Sequence, residues 1–233
     1  MKALILNSGL GKRMGKYTEM KPKCMVPLTE KETIVARQLL MLEQAGIKDV
    51  VMTTGPYAEV LERHIEELGL SLKIQYVNNP KYSETNYIYS IYLAKEYLDD
   101  EIIMMHGDLV FEQNVLDNIV NSEHSCMTVS STLELPEKDF KAVLEDGRIH
   151  AVGIEFMQDS VVAQPLYHFT KKDWCVWLDE IKAFCEAGEV NCYAENAFNR
   201  VSEHMELLPY DYKDLLCMEV DKEEDLLAVR TLL

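Results

Sequence analysis

Apolar runs of strand character alternate with helical patterns through the first half of this 233-residue chain, and that rhythm leaves few architectures open. Residues 2–7, 50–54, 73–77 and 101–106 read as strands, interleaved with helices over 33–45, 57–68, 87–98 and 112–120. Gly46 and Gly69 stand where helix C-caps belong. Such alternation builds an α/β fold, Rossmann-like and doubly wound, on a mixed, mostly parallel sheet. After about residue 125 the rhythm changes. Residues 140–144 and 148–156 flank Asp146-Gly147, the turn chemistry of a β-hairpin, and helices follow over 171–187, 195–204 and 222–232. With 48% hydrophobic residues the chain can bury one sizeable core, so 1–233 is expected to form a single domain, with 125–233 as a smaller hairpin-and-helix lobe built onto 1–124.

Composition excludes several classes. The longest apolar runs fall far short of the roughly 18–20 residues of a membrane span, so no membrane insertion is expected. Residues 3–6 enter a strand without a basic leader or cleavage site, which predicts a cytoplasmic location. Six cysteines form no C-x-x-C pair and read as free thiols. A net charge of −17 would repel a nucleic-acid backbone. Positive charge is nonetheless concentrated locally: Lys2, Lys12, Arg13, Lys16, Lys21 and Lys23 face a single acid, Glu19, within the first 23 residues.

The first strand runs into Asn7-Ser8-Gly9-Leu10-Gly11-Lys12-Arg13-Met14-Gly15, where glycines let backbone N–H groups approach an anion. A kinase-type P-loop needs G-x-x-x-x-G-K-[ST], but Gly11-Lys12 is followed by Arg13. A dinucleotide loop needs its third glycine one residue earlier than Gly15 and an acid after the second strand, which ends in Thr53-Thr54-Gly55. What remains is a loop that adds Arg13, and Lys23 ten residues on, to the backbone amides around a triphosphate. Concentrated charge of that kind serves phosphoryl transfer, where the α-phosphate and the leaving pyrophosphate must be stabilised. The segment resembles the G-x-G-x-R-x(8)-P-K signature of the nucleotidyltransferases that make nucleotide-activated sugars and alcohols.

Two carboxylates fit that resemblance. His106-Gly107-Asp108 closes the fourth predicted strand, where doubly wound sheets gather ligand groups, and Asp221 lies between an apolar strand and the last helix. By itself Asp221 reads first as a helix N-cap. With the loop signature, Asp108 and Asp221 match the family's two metal aspartates and imply Mg²⁺. Glu219, of opposite strand parity, is the weaker ligand, and none of the six histidines is assigned a role.

The stretch from Asn78 to Leu93, with Asn78-Asn79-Pro80-Lys81-Tyr82 and Thr85-Asn86-Tyr87, resembles cytidylyltransferases for phosphocholine and 2-aminoethylphosphonate more than hexose-1-phosphate enzymes. The family commonly shows Ala-Ala where Asn7-Ser8 stands and Pro-Leu-Thr where Lys16-Tyr17-Thr18 stands. The resemblance implies a nucleotide-diphospho-sugar transferase fold with 1–124 as the nucleotide-binding half. Leu6, Asn7, Ser8, Gly9, Gly11, Lys12, Asn78, Thr85 and Asn86 would hold CTP, and Lys23 and Arg13 would act in catalysis. Thr85 and Asn86 suit a pyrimidine edge or, equally, a helix cap. The acceptor-binding half would offer Trp174, Tyr193 and Glu195 to a choline-like cation, while Lys141 favours an extra anionic group. Two Trp at i and i+3, Trp174 and Trp177, also mark an ordinary buried helix face.

The expected partners are CTP and a small phosphorylated or phosphonylated acceptor, with no nucleic acid and with homodimerisation left open. The expected activity is CMP transfer with release of pyrophosphate. The alternatives are a sugar-1-phosphate nucleotidylyltransferase using UTP or dTTP, and a nucleotide-binding regulatory module without turnover.

Overall fold

The computed structural model describes residues 1–233. The first half lays down β1 (Lys2–Asn7), α1 (Ile34–Gln44), β2 (Asp49–Thr54), α2 (Ala58–Glu67), β3 (Lys73–Asn78), α3 (Tyr87–Ala94), β4 (Ile102–His106), β5 (Leu109–Phe111) and α4 (Gln113–Val120). The second adds β6 (Cys126–Ser130), β7 (Lys141–Glu145), β8 (Arg148–Gly153), β9 (Ser160–Phe169), α5 (Lys171–Glu186), α6 (Ala194–Val201), β10 (Leu208–Asp211), β11 (Cys217–Glu219) and α7 (Glu223–Leu232).

The principal sheet runs β10-β6-β9-β4-β1-β2-β3, so it is mixed and mostly parallel. β1 pairs in parallel with β2 on one side and β4 on the other, which brings Leu6 beside both Thr53 and His106. The chain leaves β1 toward β2 and β3, then returns across it to β4. Between β1 and β4 the winding therefore reverses, and the loops beyond their carboxyl ends diverge to leave a crevice. Along this path only β9 runs against its neighbours, wedged between β4 and β6; off the path, β7 pairs antiparallel with its other end and β8 antiparallel with β7. The second half thus extends the sheet of the first.

Strand parity divides the core. Leu4, Leu6, Ile102 and Met104 face a layer that includes Trp174, Trp177 and Phe198 of α5 and α6. Ala3, Ile5, Ile103 and Met105 face Leu39 and Leu42 of α1 and Leu116 and Ile119 of α4. With both faces covered, the central strands become continuous apolar runs, as a buried parallel sheet requires. β5 and β11 pair with each other apart from the main sheet, setting Glu219 opposite Leu109 just beyond the crevice.

Candidate active site

Two cavities open at the switch between β1 and β4. One, of about 280 Å³, is lined by Leu6, Asn7, Gly9, Gly11, Lys12, Arg13, Lys23, Cys24, Gly107, Asp108 and Asp221. The other, of about 180 Å³, meets it at Leu6, Gly9 and Asp108 and continues along Ser8, Asn79, Tyr82, Thr85, Asn86, Tyr87, Ser90 and His106.

Close approaches set the loop. A Cβ at Gly107 would lie 1.6 Å from Asn7 Oδ1, so any larger residue there would displace the Asn7 side chain. Gly11 turns through a left-handed conformation, φ 60°, with the Lys23 stem packed where a side chain would project. The amide of Asn7 and the hydroxyl of Ser8 are shielded from solvent, and neither Asn7 Nδ2 nor Ser8 Oγ has a protein partner. Orphaned polar atoms at the mouth of a cavity are the mark of a surface that a polar ligand completes.

The carboxylates converge on one point. Asp108 is held by Val220 N–H donating to its carbonyl at 2.9 Å, while Gly107 N–H reaches Leu6 O at 3.0 Å. Asp221 does not cap the last helix. Asp225 Oδ2 instead accepts from the backbone N–H of Asp221 and Lys222, both at 2.9 Å, which frees the Asp221 carboxylate to face the cavity. Lys23 Nζ bridges the two, 2.5 Å from Asp108 Oδ2 and also bonded to Asp221 Oδ1, and Arg13 Nη2 lies 2.9 Å from Asp221 Oδ2. Burial pulls the Lys23 pKa down, but the paired carboxylates more than offset it and the net shift is upward. Asp108 is displaced below the carboxylate range, because Lys23 outweighs the burial that opposes it. Two hard oxygen donors already sharing one cation suit a divalent ion such as Mg²⁺.

A buried polar chain backs the second cavity. His106 Nδ1 is 2.9 Å from Glu219 Oε1 and its ring meets Tyr87 edge-on, with 4.7 Å between centroids. Tyr87 donates its hydroxyl to Glu195 Oε2, and Tyr167 donates to Glu195 Oε1 at 2.8 Å. Burial pushes Glu219 up to about 7, with the Asp108 charge adding to it. Burial lowers His106, yet the Glu219 contact leaves its net pKa raised. His106, Asp108 and Glu219 each offer a ligand atom within 4.8 Å of the others.

Of the residues expected from sequence, the loop set, Arg13, Lys23, Thr85, Asn86, Asp108 and Asp221 meet around these two cavities. Thr85 and Asn86 line the second one while also serving local structure. Thr85 donates its hydroxyl to Lys81 O at 2.9 Å, and Asn86 Oδ1 accepts from Tyr87 N–H at 2.8 Å. Asn78 lies outside both cavities, its amide committed to Thr54 Oγ1 and Gly55 O; its neighbour Asn79 is the lining residue.

The expected acceptor set needs correction. Trp174 is fully buried against Phe169 and Trp177, its indole N–H donated to Leu98 O at 2.9 Å, so it is core. Lys141 is also sealed in, its ammonium given to Ile154 O at 2.6 Å, so it offers no charge to an acceptor. Glu195 is 1% exposed behind Tyr87, reached only through the tyrosines bonded to it. Tyr193 alone of that set is partly exposed, 5.1 Å from Phe140 and 5.9 Å from Tyr87 between ring centroids. Sequence reasoning missed Tyr87 and His106. The position of His106, ending a strand immediately before Gly107-Asp108, was the available signal.

The nucleotidyl transferase family model matches residues 2–142. The chain is 32% identical over 131 residues to CMP-5'-(3-aminopropyl)phosphonate synthase of Streptomyces rubellomurinus, covering 56% of this chain and 21% of that protein. It is 27% identical over 154 residues to CTP:phosphoglutamine cytidylyltransferase of Campylobacter jejuni, covering 63% and 59%. The chain therefore spans between about a fifth and three fifths of the length of these relatives. The solved CTP:phosphocholine cytidylyltransferase of Streptococcus pneumoniae superposes with a TM-score of 0.83 over 99% of this chain and 98% of that one; at 21% identity the likeness is one of fold.

Proposed function

We propose, from the premise that this chain belongs to the nucleotidyl transferase family, that it transfers CMP from CTP to a small phosphorylated or phosphonylated acceptor bearing an amine or quaternary ammonium. The observation that carries this reading is the convergence of Asp108 and Asp221 on Lys23, directly across from the glycine loop. When a triphosphate enters, Lys23 and Arg13 exchange their carboxylate partners for phosphate oxygens. The backbone amides of 9–13 supply further donors. Asp108 and Asp221 would then hold Mg²⁺, which supplies charge neutralisation at the α-phosphate.

An acceptor oxygen attacks the α-phosphorus in line, the bond to the β-phosphate oxygen breaks, and pyrophosphate departs with that electron pair. A phosphate or phosphonate is already ionised near neutral pH, so no side chain has to remove a proton. The cationic acceptor is supported by the second cavity, whose lining holds Tyr82, Tyr87 and Asp108 but no Lys or Arg, with Glu195 and Glu219 behind it. The named relatives act on, or make CMP adducts of, small phosphorylated or phosphonylated compounds. Pyrophosphate release measured with CTP, UTP and dTTP against phosphocholine, 2-aminoethylphosphonate and glucose-1-phosphate tests the reading. CTP with an amine-bearing acceptor should be fastest, and preferred use of UTP or dTTP with glucose-1-phosphate would overturn it.

A further inference from the structure

His106 ends β4 two residues before Asp108, and its imidazole is fixed on three sides. Glu219 Oε1 holds Nδ1 at 2.9 Å, the Tyr87 ring meets it edge-on at 4.7 Å, and Phe140 closes the far edge at 6.4 Å between centroids. Its backbone is tied as well, since Gln38 Nε2 donates to His106 O at 2.9 Å. Glu219 cannot drift away, because β11 pairs with β5 and Val220 N–H is bonded to Asp108 O. This bracing leaves Nε2 shielded from solvent and with no hydrogen-bond partner. A ring this firmly held with one unpaired nitrogen, lining a cavity, lacks only the ligand group that would complete it.

The direction of the reaction says which ligand. Resting on the proposed function, pyrophosphate leaves over the cationic loop of the first cavity, among Gly11, Lys12 and Arg13. In-line displacement then requires the attacking oxygen to come from the opposite side of the α-phosphorus, past Asp108. The second cavity meets the first at Asp108 and has His106 in its wall beside Tyr87. We propose that His106 Nε2 contacts the phosphate or phosphonate group of the acceptor and sets its oxygen on the line of attack, with Glu219 as the positioning residue that holds the ring. No proton transfer is assigned to the pair.

Calorimetry separates this contact from turnover. Phosphocholine and 2-aminoethylphosphonate are titrated into protein loaded with Mg²⁺ and a non-hydrolysable CTP analogue. His106→Phe, which keeps the ring but removes its nitrogens, should weaken acceptor binding by about ten- to hundredfold while changing analogue affinity less than about twofold. His106→Gln, whose amide can still donate, should recover part of that loss, and it also serves if the Phe variant folds poorly. Glu219→Ala should act in the same direction, with a smaller effect.

Acceptor affinity unchanged in both His106 variants would overturn the role of His106 while leaving the proposed function standing. Loss confined to the CTP analogue would assign His106 to the nucleoside, and weakened Mn²⁺ binding without acceptor would assign it to a metal; either result overturns the inference. Wild-type protein that binds the analogue but neither acceptor would bring down the proposed acceptor class, and this inference with it.

Discussion

The two sides of the crevice are built on opposite plans. On the loop side the charges are paired with one another: Arg13 is 69% exposed and Lys23 12%, and the guanidinium and ammonium reach inward to Asp221 and to Asp108 and Asp221. On the far side the polar groups are buried and, His106 Nε2 apart, hydrogen-bonded within the protein, with Glu195 under two tyrosines and Glu219 against His106. The contrast matches two tasks. A triphosphate brings its own charge and must be met by cations free to change partners, whereas a small acceptor is selected by a wall that does not move. Under the proposed function the first side would exchange ion pairs, and the second side would offer fixed shape and field.

The sharpest way to break that contrast is Lys23→Ala. If the lysine trades carboxylates for phosphates, its removal should lower the rate of CMP transfer by about 10³-fold, measured as pyrophosphate release at saturating CTP. The same variant leaves Asp108 and Asp221 without their shared ammonium, so Mn²⁺ should bind it more tightly than wild type when nucleotide is absent. A variant that keeps more than a tenth of the activity would show that Lys23 belongs to the static side.

Trp174→Ala tests where the static side ends. The indole is fully buried within the aromatic layer under α5, so its loss should cost about 3–5 kcal/mol in denaturant unfolding. Acceptor KM in the folded fraction should be unchanged. A raised KM at undiminished stability would return Trp174 to the acceptor wall.

These two residues also show what was legible in the sequence. Gly9, Gly11, Arg13 and Lys23 lie in one short segment and line one cavity, so their spacing carries the geometry, and the strand–helix rhythm of the first half carries the parallel sheet. Asp108 was legible because a strand end in a doubly wound sheet is a defined place. The far side is assembled from residues more than a hundred positions apart, such as Tyr87 with Glu195 and His106 with Glu219. Nothing local signals those meetings. Strand parity misjudged Glu219 because β11 pairs with β5 and not with the main sheet, so the face it presents is set by that separate ribbon. Helical spacing marked Trp174 and Trp177 as one face, yet could not say that Phe169 of β9 would cover it. Lys141 looked like an anion-binding charge until the turn after β8 placed Ile154 O against its ammonium.

A smaller effect is expected at Asp221. Replacing it with Asn keeps the shape but removes half the charge that Lys23 now neutralises. Mn²⁺ affinity in the presence of CTP, followed by electron paramagnetic resonance, should fall at least about tenfold. The fold should be preserved, because Asp225 and not Asp221 caps α7. Unchanged metal affinity would remove Asp221 from the exchanging side altogether.

The smallest predicted effect reads the static side through pH. Burial, with help from Asp108, pushes Glu219 up to about 7, whereas in the unfolded chain the carboxyl returns to about 4.3. Between those values the folded protein keeps a proton that the unfolded chain has lost, so the unfolding free energy falls as pH rises. The contribution is complete below about pH 4 and gone above about pH 7. His106, also raised, adds a loss of the same sign as pH climbs past its ordinary value of about 6.5. Glu219→Gln cannot ionise and also takes away the carboxylate that raises His106, so it should flatten the profile. In metal-free buffer the wild-type Tm should therefore drop by a few degrees relative to the variant between pH 5 and pH 8. Parallel melting curves would mean that Glu219 is solvated and mobile, and the far side would then be no more rigid than the loop it faces.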